Sequence, residues 1–280
     1  MNPAPNYVRV RAREVVINVR DAGAPDAPAV VLMHGVTATH DYVLMRATQL
    51  ERSGFRVIAY DARGHGDSTA PARPDAYGYV ELLDDLLAVI DDRGVSSALL
   101  VGASLGCHTA LRCALDHPGR VTGVVAVTPA YDPERHPNRD AVRRAARLAG
   151  ALRSGGADAF VDAYEFPDAT PTRQAAFAEA MRRQLRRHAH PEAVADALEH
   201  AMGARPFGDL GELRGIRVPV LVAATRDELD SQHPLALAHR YAEVLGGADV
   251  VCEAEGRTPL AWNGAALARH VADFAAGIEL

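Results

Sequence analysis

Leu99-Leu100-Val101-Gly102-Ala103-Ser104-Leu105-Gly106-Cys107-His108 decides how the rest of the chain is to be read. Three consecutive branched apolar residues read as a buried strand, and from Leu105 onward the apolar positions recur at helical spacing. Between the two lies Gly102-Ala103-Ser104-Leu105-Gly106, a G-x-S-x-G pattern in the strand-turn-helix setting that makes the pattern meaningful. The turn is sharp enough to strain its central residue and crowd its flanks, so side chains are excluded two positions to either side. Ser104 Oγ is therefore expected to project above the strands. The Leu105 backbone N–H, at the start of a helix, faces the same space as one donor for an oxyanion.

Outward from this stretch, short apolar runs recur at residues 29–32, 56–60, 121–127, 218–223 and 249–253, each closed by a turn. Helical periodicity follows at 42–52, 79–92, 105–116, 234–245 and 260–275. Strand and helix alternating in this way predict an α/β fold, a mostly parallel central sheet flanked by helices. Residues 7–19 alternate well enough for an antiparallel hairpin at one sheet edge. The interval 130–213 breaks the rhythm, with helical periodicity, Pro and Arg clusters and almost no strand-like run. The expected organisation is a core of 1–129 and 214–280 with a helical lid insertion at 130–213, because so long a connection is rarely structureless. Tyr131, Phe160, Tyr164, Phe166 and Phe177 are expected in the core of that insertion and in a pocket wall.

With the elbow at Ser104, the chain resembles the α/β-hydrolase superfamily over nearly its whole length. Met33-His34-Gly35-Val36-Thr37 is similar to the family's oxyanion loop, which implies the Val36 N–H as a second donor and a structural role for His34. Tyr60-Asp61-Ala62-Arg63-Gly64-His65-Gly66-Asp67-Ser68 resembles the D-x-R-G-x-G-x-S turn that braces the loops under the site, with Arg63 and His65 as scaffold. The family's acid follows a strand like Pro219-Val220-Leu221-Val222-Ala223, which implies Asp227 as the acid and Asp230 as its competitor; a turn cap beside Arg226 is the structural reading of Asp227.

One departure stands out. The family closes on a Gly-His pair after the last strand, and here Gly256 is followed by Arg257. A guanidinium stays protonated and cannot take a proton from a serine hydroxyl. His108, one helical turn beyond Ser104, and His40, downstream of the oxyanion loop, are the substitutes considered for the base, each with a bland polar contact as its structural reading. Arg257 itself becomes a possible contact to Asp227 or to a substrate carboxylate. Two classes of function then follow from the resemblance. One is a cofactor-free serine hydrolase acting on an ester, lactone or thioester through Ser104. The other is an atypical member with epimerase, lyase or isomerase chemistry, or a non-catalytic binding protein.

Composition narrows the partners. At 280 residues, 48% hydrophobic, the chain can bury a sizeable core, and a net charge of −6 gives no attraction to a polyanion, so a small-molecule substrate is expected and nucleic acid is not. All 30 positive residues are arginine. Four of them, Arg182, Arg183, Arg186 and Arg187, gather on one face of a helix, either as a solvated surface or as recognition of an anionic or carrier-tethered substrate. Cys107, Cys113 and Cys252 are expected to be buried, reduced thiols, since each falls inside an element without metal-like spacing. Neither a signal-like leader nor a long uncharged apolar run is evident, so a cytoplasmic protein with no membrane partner, cofactor or metal is expected.

Overall fold

The computed structural model describes residues 5–166, 170–226, 232–253 and 262–279. Its strands are β1 (Asn6–Ala12), β2 (Val15–Ala22), β3 (Ala29–Met33), β4 (Arg56–Tyr60), β5 (Ala98–Ala103), β6 (Val121–Val127), β7 (Val220–Ala224) and β8 (Asp249–Cys252). The helices are α1 (Gln49–Arg52), α2 (Tyr79–Asp92), α3 (Leu105–Asp116), α4 (Arg139–Asp162), α5 (Pro171–Leu185), α6 (Pro191–Gly203), α7 (Leu235–Val244) and α8 (Gly264–Ala276). One sheet carries all eight strands in the order β1-β2-β4-β3-β5-β6-β7-β8. β2 runs antiparallel to β1 and β4, and the strands from β4 to β8 run parallel.

Because side chains alternate across a strand, the parallel strands bury both faces, and this is why they read as unbroken apolar runs. Val31, Ile58, Leu100 and Val124 face α2, α3 and α7 through Leu86, Leu111 and Tyr241. Their neighbours Val30, Val57, Leu99 and Val125 face Leu50 of α1 and Leu267 and Val271 of α8. Between β6 and β7, helices α4, α5 and α6 pack on one another around Leu148, Leu152, Phe160, Leu185, Val194 and Leu198. Within α4, Gly155 and Gly156 leave helical geometry, so the element is two helices joined at a kink.

Two expectations need correction. The helix expected over 42–52 shrinks to α1, because Met45 and Arg46 turn the chain back with φ of 47° and 60°. The Leu44 carbonyl there lies so close to Gly264 that a Cβ on that glycine would sit 1.9 Å from it. Cys107 and Cys113 are buried, but Cys252 is exposed, since it ends the edge strand β8, whose ends face solvent. Among the described residues no helix is long and apolar enough to cross a membrane.

Candidate active site

At the end of β5, in the middle of the sheet, Ser104 has φ 50° and ψ −107°, a left-handed conformation that costs a non-glycine residue strain. The surrounding backbone over-determines it. Ser104 N–H donates to the Val127 carbonyl at 2.9 Å, and its carbonyl accepts from His108 N–H at 3.2 Å as α3 begins. The flanking glycines are required sterically: a Cβ on Gly102 would lie 2.1 Å from the Gly106 carbonyl oxygen, and one on Gly106 would lie 2.4 Å from that of Met33. Leu105, the first residue of α3, has a backbone N–H with no intrahelical acceptor. Val36 lies in the turn after β3, and His65 Nε2 sits 2.7 Å from the Val36 carbonyl, which fixes the next peptide of that turn. Gly35, Val36, Ser104 and Leu105 all border one cavity of about 640 Å³ between the sheet edge and helices α4 to α6.

A histidine reaches the serine, and it comes from a place the sequence reading passed over. His233 Nε2 lies 3.0 Å from Ser104 Oγ. His233 is half-buried, two residues before α7, in the connection that follows β7. In the sheet β7 is only two strands from β5, so this connection opens beside the elbow. Asp227 and Asp230, the acids read from the sequence, precede His233 in that same connection and lie outside the described residues; so do Gly256 and Arg257.

The two histidines first considered for the base are engaged elsewhere. His108 Nε2 accepts from the backbone N–H groups of Ala130 and Tyr131 at 3.2 and 3.1 Å, which leaves the proton on Nδ1, 3.3 Å from the Tyr79 hydroxyl. Burial, with a smaller contribution from His233, pushes its pKa down to about 3, so His108 is a neutral structural group with its lone pair occupied. His40 donates from Nδ1 to Asp61 at 2.9 Å, and its Nε2 faces Asp41. Burial opposes its protonation, but the hydrogen bond and charge of Asp61 together with Asp41 outweigh that and raise its pKa.

The turn after β4 fastens these loops. Asp61 accepts from Asn18 Nδ2 and His40 N–H, both at 2.9 Å, and Gly66 passes so close that a Cβ there would lie 2.2 Å from the carboxylate. His34 Nε2 accepts from Ala62 N–H at 2.9 Å. His188, from the turn between α5 and α6, accepts from Gly66 N–H at 2.9 Å and lies 3.0 Å from the Thr37 carbonyl, while Gln184 donates to Thr37 Oγ1 at 3.1 Å. Below them Arg63, fully buried, holds Asp85 with two hydrogen bonds of 2.7 Å. Removing one partner of a buried pair strands the other's charge, so Asp85→Ala is expected to lower unfolding free energy in urea by about 3–5 kcal/mol. A loss under about 1 kcal/mol would mean that Arg63 finds water or another acceptor.

Arginines of the 182–187 run are mostly neutralised within the chain. Arg182 and Arg186 pair with Asp158, and Arg187 pairs with Asp41. The aromatic residues Phe160 and Phe177 line the cavity and each stacks on Tyr164, which lines it too, as do Tyr131 and Tyr79.

A family profile described as the alpha/beta hydrolase fold matches residues 28–227. The chain belongs to that family. A putative carbamate hydrolase, RutD, of Variovorax paradoxus is 31% identical over 241 residues, covering 80% of this chain and 82% of that protein. Epoxide hydrolase A of Mycobacterium tuberculosis is 34% identical over 125 residues, which is 45% of this chain and 39% of the epoxide hydrolase, so only part of that protein is matched. Among solved structures, the enol-lactonase from Burkholderia xenovorans LB400 superposes with a TM-score of 0.76 at 26% identity, covering 97% of this chain and 100% of the enol-lactonase. These relatives are hydrolases, and they support a hydrolase function for this α/β-hydrolase-fold chain.

Proposed function

We propose that the protein is a serine hydrolase of small-molecule esters, lactones or thioesters, with Ser104 as nucleophile and His233 as general base. The observation that carries this reading is the 3.0 Å contact between His233 Nε2 and Ser104 Oγ, at hydrogen-bond reach for proton transfer. In the acylation step the Ser104 hydroxyl gives its proton to His233 Nε2 while Oγ bonds to the carbonyl carbon. The resulting oxyanion accepts from the amides of Val36 and Leu105, and His233 returns the proton to the departing alcohol or thiol. Water then repeats the sequence on the acyl-enzyme. Asp227, with Asp230 as the competitor, is the carboxylate proposed to orient His233. Helices α4 to α6 serve as the lid. Serine, imidazole and two amides supply each step, so the reaction needs no cofactor, and the setting proposed for it is the cytoplasm, with neither nucleic acid nor membrane as partner.

Arg257, standing where the family's histidine is expected, is the ground for the alternatives of epimerase, lyase or isomerase chemistry or a binding-only role. The His233 contact supplies a base from another connection and favours hydrolysis. The test is labelling with a fluorophosphonate. Wild-type protein is expected to take up one equivalent and Ser104→Ala none, with the adduct mapped to the Ser104 peptide. Undiminished labelling in Ser104→Ala would rule out Ser104 as the nucleophile.

A further inference from the structure

Helix α4 turns one face to the cavity through Ala141, Ala145 and Leu148, and a single cation, Arg144, interrupts this apolar stripe. Arg143, Arg147 and Arg153 of the same helix have carboxylate partners, Asp140, Glu165, and Asp196 with Glu199, whereas Arg139, exposed at the helix start and away from the cavity lining, has none among the described residues. Arg144 is half-buried and makes neither an ion pair nor a side-chain hydrogen bond with any described residue. Glu165, which feels its charge, is already hydrogen-bonded by Arg147. The acids that share the cavity wall are likewise taken, Asp132 by Arg240 at 3.1 Å and Asp140 by Arg143. Arg135, also on the wall, adds a second cation without a carboxylate partner among the described residues. Among the described residues Arg144 and Arg135 are thus wall cations without a carboxylate partner, and Arg144 stands beside apolar residues, where an ion pair gains more than at a free surface.

From this we infer that the substrate carries a carboxylate, which Arg144 binds while the ester, lactone or thioester carbonyl lies at Ser104. A guanidinium offers a planar pair of N–H donors that matches a carboxylate, and it is less strongly hydrated than an ammonium, so it suits a partly dry wall. The inference rests on the hydrolase reading for the identity of the reacting group, but the anion site can be tested without catalysis. In a Ser104→Ala background, which cannot turn over the probe through that serine, calorimetry would compare monomethyl adipate with its uncharged counterpart dimethyl adipate. The monoanion is expected to bind at least about tenfold more tightly, and Arg144→Gln in the same background is expected to bring the two affinities within about threefold of each other. Arg144→Lys should restore part of the preference. Equal affinities in the parent, or a preference that survives Arg144→Gln, would overturn the proposal. Preferential binding of the monoanion, with no Ser104-dependent turnover of either ester by the wild-type chain, would sustain the anion site and count against the hydrolase reading alone.

Discussion

Replacing His233 by alanine is expected to lower kcat on an activated ester by about 10²–10⁴, with KM changed far less, because a positioned general base is worth that much in the transition state. Ser104→Ala should fall at least as far. The double variant should lose little beyond the worse of the two, since a nucleophile and its base act as one unit and their contributions do not add. The wild-type profile should show an acid limb from one imidazole that must be unprotonated to act, and this limb should vanish from the residual activity of His233→Ala. His108→Gln supplies the contrast. It keeps an acceptor where Nε2 meets the Ala130 and Tyr131 amides, and it should retain the acid limb. Wild-type activity in His233→Ala, or loss of the limb in His108→Gln instead, would return the role of base to another group.

The sequence revealed the sheet and the elbow because both are written in contiguous residues. Parallel strands buried on two faces are unbroken apolar runs, and the steric demands on Gly102 and Gly106 are local enough to mark Ser104 unaided. The proposed base is written differently. His233 is 129 positions from Ser104, and only the order β5-β6-β7 brings its connection alongside the elbow. Arg257 stands after Gly256 where the resemblance places the histidine, and His108 and His40 are the histidines that lie near Ser104 or the oxyanion loop in sequence. Yet a usable signal was present. His233-Pro234 directly precedes a helix, so the histidine ends the connection after β7, six positions beyond Asp227 in the sequence. The run at 42–52 misled for a related reason. Its apolar positions do pack inward, with Val43, Leu44 and Leu50 buried, but a tight approach between the Leu44 carbonyl and Gly264 of α8 overrides local helical preference.

Stability should fall steeply as the pH drops from 7 toward 5, through histidines that the fold holds neutral. Burial pushes His34 and His108 down to about 3 and His188 to about 4, and each uses a ring nitrogen to accept from a backbone N–H, at Ala62, at Ala130 and Tyr131, and at Gly66. In the unfolded chain these imidazoles titrate near 6.5, so below that pH the unfolded state binds protons that the folded state refuses. Each such group then removes about 1.4 kcal/mol of stability per pH unit until the folded pKa is reached. His40 works in the other direction. Its raised pKa contributes stability that is complete below the unfolded value and is lost as pH rises through the folded one, so it offsets part of the acid loss. With His34, His108 and His188 depressed this far, His65 and His136 also depressed and His40 raised, urea unfolding should show a net stability loss of at least about 3–5 kcal/mol between pH 6.5 and 5. His108→Gln keeps the acceptor for its two amides and removes the titration, so its slope of stability against pH should be shallower by close to one proton. An unchanged slope in that variant would mean that His108 becomes protonated within the folded chain, and that its bonds to Ala130 and Tyr131 give way without unfolding it.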